Sequence, residues 1–270
     1  MDHTLAHKNA VIYGAAGGLG RGVARTFARE GATVFLVGRT ESKLRRLAEA
    51  ISEEGGRAEA AVVDALDPDA VAAHLSAVAS QYGPVDVSLN LVSRGDVQGT
   101  PLLEMSTEDL LAPVVTGLTA NFVTAQAAAR QMRDQGTGGV ILTVTSGSGF
   151  VQGSHRQPFH MGGTGPADAA IESFLRYLAG EAGQYGIRVL GIWTAGVAET
   201  FASDDQDTND SRRSSDLTPE AIEAAMASMS MLKKGTRLPQ VAEALAFLAS
   251  DRAAGITGTM VNVTTGLFAG

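Results

Sequence analysis

Three glycines, Gly14, Gly18 and Gly20, stand between an apolar run at 9–13 and an Ala/Arg-rich stretch of helical period at 18–30. Close glycine spacing between a strand and a helix lets backbone N–H groups and the helix N-terminus approach an anion such as a pyrophosphate. The same alternation then repeats along the chain. Short β-branched runs fall near 9–13, 32–37, 58–63, 85–91, 139–145, 188–193 and 260–263, and helical stretches near 18–30, 41–54, 68–81, 104–134, 164–185 and 239–249. Glu41, Glu104 and Asp67-Pro68 supply an acid or a proline near three helix starts. Strands joined through helices must lie parallel, with both sheet faces covered. The expected fold is α/β: a Rossmann-like, doubly wound, seven-stranded parallel sheet in a single domain over residues 1–270.

Composition fits that fold. Of 270 residues, 44% are apolar and 32 are glycine. Net charge is −8 and the basic residues are scattered, which argues against nucleic acid or an acidic membrane as partner and for a small-molecule substrate. The absence of cysteine excludes disulfides, thiolate catalysis and thiolate-bound metal, and no metal site is expected. The N-terminal residues lack a basic end followed by a long apolar core, so a soluble, cytoplasmic protein is expected. Segment 202–218 is polar and rich in Asp and Ser, and the following stretch, Pro219 to Met231, carries Ile222, Met226, Met229 and Met231. Together, residues 198–232 are expected to form a flexible lid over a cleft, with an ordinary packing helix at 219–231 as the alternative of nearly equal weight.

The spacing Gly14, Gly18, Gly20 in GAAGGLG, the Asp64-Ala65 pair after the third strand and Asn90 after the fourth resemble short-chain dehydrogenases/reductases in type and order. So do GVILTVTS ending at Ser146, AAIESFLRYLAGE with the following YGIRV, and the segment Ala195 to Thr200. The resemblance covers nearly the whole chain. It implies a nicotinamide cofactor held by Gly14, Ala16, Gly18, Leu19 and Gly20 at the pyrophosphate and by Asp64 and Ala65 at the adenine. It further implies contacts from Asn90 and Val92 along the cleft and from Gly196, Val197 and Thr200 at the carboxamide. At the end of the second strand Gly38 takes the place of the acid that holds NAD ribose, and Arg39 with Thr40 offers donors to a 2′-phosphate, so the expected cofactor is NADP(H). Tyr13 replaces the Thr that usually precedes the first Gly. A homodimer or homotetramer is expected from the resemblance.

One family motif is missing. The lysines are Lys8, Lys43, Lys233 and Lys234, so no Tyr-x-x-x-Lys exists where the family keeps its catalytic pair. Counting back from Glu181 places Thr164 at the Tyr position and Asp168 at the Lys position. Counting forward from Ser146 gives Phe159 and Gly163, and neither register supplies a phenol or an ammonium. Gly117 takes the place of the catalytic Asn, while Asn121, one turn on, reads as a core or helix-surface residue. Ser146 keeps its place as the substrate-orienting serine. Asp168 can accept from ribose hydroxyls, although a solvated first-turn acid has equal weight. His160 or His155, in a lengthened loop, could donate a proton, and Arg94 reads as solvated, with an anion-orienting role as the alternative.

Losing a general acid costs about 10²–10⁴ in rate on an unactivated ketone, and little where hydride acceptance creates no alkoxide, as with enones, iminium ions or quinoid systems. The expected function is therefore that of an atypical oxidoreductase on a small, apolar or conjugated substrate. The alternatives are a non-redox enzyme of the same fold, such as an isomerase, cyclase or lyase, and a catalytically silent binding subunit.

Overall fold

The computed structural model describes residues 3–151, 160–200 and 218–269. Seven parallel strands form one sheet: β1 (Asn9–Tyr13), β2 (Thr33–Gly38), β3 (Arg57–Val62), β4 (Val87–Asn90), β5 (Gly139–Thr145), β6 (Ile187–Trp193) and β7 (Met260–Asn262), in the order β3-β2-β1-β4-β5-β6-β7. The order reverses between β1 and β4, and ligands of open α/β sheets bind beyond the strand ends at such a point. The Rossmann-like, single-domain expectation holds.

The helices are α1 (Gly18–Arg29), α2 (Glu41–Glu53), α3 (Pro68–Tyr82), α4 (Thr107–Gln135), the short α5 (Ser148–Val151), α6 (Thr164–Ala182), α7 (Pro219–Met229) and α8 (Leu238–Ala249). Strand alternation sends Ala10, Ile12, Val34 and Leu36 into a core with Val23 and Phe27 of α1, Leu44 of α2 and Leu245 of α8. Val11, Tyr13, Phe35 and Val37 point the other way, into a core with Val71 and Leu75 of α3, Val123 and Met132 of α4, and Leu175 of α6.

The boundaries follow local chemistry. Asp67 caps α3, accepting from the N–H groups of Asp69 and Ala70, with Pro68 in the first helical position. The cap of α4 is Ser106, which accepts from Asp109 N–H, so this helix starts a little later than the acid at Glu104 suggested. Gly136, left-handed at φ 72°, ends it. By length and composition α4 could cross a membrane; here it packs against α3 and α6. The last turn of the sequence-predicted helix at 164–185 tightens into a 3₁₀ turn at Gly183–Tyr185. Of the expected lid, the 3₁₀ turn Ala198–Thr200 and α7 are described, whereas 201–217 lie outside the described residues.

Candidate active site

The glycine-rich turn is held against both neighbouring strands. Gly14 and Ala15 donate their N–H groups to Val37 O of β2 at 2.9 and 3.2 Å. Gly14 has φ +75°, and a Cβ there would stand 2.5 Å from Leu91 O, just past β4. A Cβ on Gly20 would stand 2.5 Å from Ala15 O, and one on Gly18 would press on Thr200 at 2.9 Å. No side chain caps α1. Among the described residues nothing accepts from the N–H groups of Gly18, Leu19 or Gly20. A cradle with no room for side chains and unsatisfied donors at a helix N-terminus suits a pyrophosphate. These residues therefore fit the phosphates of a dinucleotide.

Around this cradle the other expected cofactor residues line the same strand ends. Arg39 and Thr40 are exposed beyond β2, and Arg39 has no partner among the described residues. Asp64 is exposed and accepts from Leu66 N–H at 3.0 Å, while Ala65 is buried. Asn90 ties β4 to α4 by donating to Thr124 Oγ1 at 2.9 Å, and accepts from Val92 N–H at 3.0 Å. Gly196 has φ +59° and Met226 of α7, within the expected lid, packs directly against it. Thr200 spends its hydroxyl on Val197 O at 2.7 Å. Among the described residues Tyr13 finds no hydrogen-bond partner for its buried hydroxyl, and its ring packs in the core.

The catalytic region differs from the sequence expectation at two residues. Asp168, weighed as an acceptor for cofactor hydroxyls or as a solvated acid, is only 1% exposed and is committed within the protein. Its Oδ1 accepts from Arg94 Nη1 at 2.6 Å. Its Oδ2 accepts from the hydroxyl and N–H of Ser146, at 2.5 and 3.1 Å, and from the hydroxyl and N–H of Ser148, at 3.1 and 3.3 Å. Five donors saturate the carboxylate, so a ribose hydroxyl would have to displace one of them.

Arg94, expected in solvent, is only 13% exposed and lies between Asp168 and Asp96, its Nη2 3.4 Å from Asp96 Oδ1. Burial alone would lower the guanidinium pKa, but Asp168 and Asp96 outweigh it and raise the pKa, which fixes the charge. The pair was missed because its halves are 74 residues apart. A signal did exist: Gly117 leaves open the space through which the Arg94 stem passes.

Thr164, the first residue of α6, is 2% exposed and accepts from Gln98 Nε2 at 3.1 Å. Of the other register, Gly163 is buried against Leu110 O and Pro113, while Phe159 lies outside the described residues. Asn121 is partly buried, donating to Gly117 O at 2.9 Å and accepting from Thr143 Oγ1 at 2.6 Å. His160 is exposed, and its carbonyl accepts from Gly99 N–H at 2.8 Å. His155 lies outside the described residues. One turn beyond Asp168, Glu172 is also buried, accepting from Thr145 Oγ1 at 2.9 Å and Trp193 Nε1 at 2.7 Å. The structure thus brings Ser146, Ser148, Asp168 and Arg94 together at the end of β5, while Thr164, one turn before Asp168 on α6, bonds instead to Gln98.

Comparison with known proteins agrees with this geometry. A family model described as enoyl-(acyl carrier protein) reductase matches residues 14–267. The L-rhamnose 1-dehydrogenase (NAD(P)(+)) of Azotobacter vinelandii is 33% identical over 98% of both chains. The cis-4-hydroxycyclohexanecarboxylate dehydrogenase of Sinomonas cyclohexanicum is 30% identical over 98% of both. A short-chain type dehydrogenase/reductase from Mycobacterium marinum, of known structure, superposes with a TM-score of 0.81 at 26% identity, covering 100% of this chain and 98% of that one. With the sheet order, the glycine cradle and these matches in agreement, the chain belongs to the short-chain dehydrogenase/reductase family.

Proposed function

We propose that this protein is an NADP(H)-dependent oxidoreductase that works without the family's phenol and ammonium pair. The observation that carries the reading is that, among the described residues, the N-terminus of α1 is uncapped and Arg39 is unpartnered. Gly14 is bonded to Val37 of β2, so the phosphate cradle and the guanidinium share one end of the sheet. Gly14, Ala16, Gly18, Leu19 and Gly20 would hold the pyrophosphate, Arg39 and Thr40 the 2′-phosphate, and Asp64 with Ala65 the adenine. Asn90, Val92, Gly196, Val197 and Thr200 would line the path to the nicotinamide. When bound, the cofactor supplies or accepts hydride.

The residues of the chain do the rest. Arg94 fixes Asp168, Asp168 fixes Ser146, and Ser146 orients the substrate. Thr164 cannot donate a proton near neutral pH, so the reading favours small, apolar or conjugated substrates that need no strong general acid. Thr164 and His160 shape the cleft in this reading. Titration of NADPH and NADH fluorescence tests the proposal: NADPH binds more tightly, and Arg39→Ala erases most of the difference. Equal affinities in the wild type would overturn the NADP(H) assignment.

The oligomer belongs to the same proposal. Leu111, Val115 and Phe122 lie on one face of α4, exposed by 44–62%, and Phe122 meets Phe174 of α6 at 5.6 Å beside exposed Tyr177. A contiguous apolar surface of this kind supports a homodimer or homotetramer paired through α4 and α6.

A further inference from the structure

The hydroxyl of Ser146 lies 2.5 Å from Asp168 Oδ2. A carboxylate held by an adjacent guanidinium only accepts, so the single proton of that hydroxyl points at Asp168. Ser148 N–H donates to Ser146 Oγ from 3.2 Å, taking up one lone pair. What Ser146 has left for a ligand is its other lone pair. The serine in the substrate-orienting position therefore meets the substrate as an acceptor. A carbonyl oxygen, itself an acceptor, finds no donor in it, whereas an N–H or O–H does.

The charge around the serine selects between those donors. Among the described residues one guanidinium, Arg94, faces two carboxylates, Asp96 and Asp168, which leaves that group of three side chains with one net negative charge. Asp96 Oδ1 is buried and accepts no hydrogen bond among the described residues. With both carboxylates largely out of water, the unbalanced charge attracts a cation more strongly than it would at the surface.

We propose that the substrate group seated on Ser146 is a cationic nitrogen bearing an N–H, a protonated amine or the corresponding iminium ion. This rests on the reading of the cleft at Ser146 as the substrate site. It also accounts for the absence of a phenol and an ammonium: a donor ligand needs no proton from the protein in order to bind, and a lysine there would repel it.

The test uses Trp193, the sole tryptophan, whose indole donates to Glu172 and stands 5.5 Å from Phe268, the ring that covers Gly147 between the two serines. Its fluorescence is followed while cyclohexylamine, cyclohexanol, cyclohexanone or cyclohexanecarboxylate is titrated into the full chain, with and without saturating NADP⁺. Cyclohexylamine should bind about tenfold or more tightly than the ketone or the carboxylate, as expected for a charge-assisted hydrogen bond. Ser146→Ala should remove most of that advantage without changing ketone binding. Ser146→Cys, which keeps the shape but is a poor acceptor, should do the same.

Ketone binding as tight as amine binding would overturn the proposal, and cyclohexanol matching the amine would overturn its requirement for charge. NADPH affinity, measured in parallel, separates the two readings. Amine selectivity without NADPH binding would overturn the cofactor assignment and support this inference. NADPH binding without amine selectivity would overturn this inference alone.

Discussion

Arg94 runs through the volume that Gly117 leaves empty: a Cβ at 117 would collide with Arg94 Cδ and stand 2.9 Å from its Cγ, and the guanidinium beyond reaches Asp168. In the family pattern an Asn stands at Gly117 and a Lys at Asp168. Here α6 contributes the anion and the loop after β4 contributes the cation of a pair whose side chains are only 1% and 13% exposed. Removing one partner strands the other. Arg94→Met is expected to cost about 3–5 kcal/mol, the usual loss when a buried ion pair is halved. Arg94→Met combined with Asp168→Asn should recover much of it. Urea unfolding followed by Trp193 fluorescence measures both, and a double variant no more stable than the single one would mean that Asp168 does not need the charge of Arg94.

The backbone plan was legible because it is written in local patterns. Strand runs, glycines and caps such as Asp67 act within a few residues, and the sheet order follows once the crossovers must all be of one hand. The glycine cradle was legible for the same reason. What could not be read was any relation carried across the sheet. Arg94 looked solvated because nothing near it in sequence pairs with it, and Asp168 looked available because its five donors come from three other places in the chain. A close reading of Gly117 as a missing side chain, and not as a missing catalytic group alone, would have pointed to something large filling the gap.

Cofactor choice should be reversible at a single position. Gly38 ends β2 without a positive φ, and a Cβ there would meet only Leu44 Cδ2 at an ordinary 3.5 Å, so a larger side chain fits. Gly38→Asp places a carboxylate where it can accept from ribose hydroxyls and repel a 2′-phosphate. We expect NADPH affinity to fall about tenfold or more and NADH to become the tighter ligand, given that hydrogen bonds to charged groups contribute about 1.5–3 kcal/mol. Unchanged preference by fluorescence titration would show that neither nucleotide ribose approaches this strand end.

The apolar face of α4 gives a separate prediction about assembly. Val115 is 62% exposed, one turn from Leu111. A carboxylate in the middle of a paired apolar surface would have to be buried without a partner, which is costly. Val115→Asp should therefore lower the molar mass seen by light scattering on a size-exclusion column, with the far-ultraviolet circular dichroism unchanged. A wild type that is already monomeric at micromolar concentration would rule out pairing through this face.

Tyr13 is expected to make stability fall at alkaline pH. Its hydroxyl is buried at the end of β1 with no hydrogen bond among the described residues, and burial pushes its pKa well above the usual tyrosine value of about 10. The folded state therefore resists ionisation that the unfolded chain undergoes freely. The sign follows from linkage: the stability associated with a neutral Tyr13 is fully present below about pH 10 and declines as pH rises above it, because only the unfolded state releases the proton. Tyr13→Phe removes both the ionisation and the unsatisfied hydroxyl. We expect the variant to be more stable near neutral pH by about 1–3 kcal/mol, the penalty of leaving a buried polar group unpaired, and its advantage to widen between pH 10 and 11. Urea midpoints at pH 7, 10 and 11 measure this. A constant difference across the three would mean that Tyr13 does not titrate on unfolding, and a less stable variant would mean that the hydroxyl has a partner in solution.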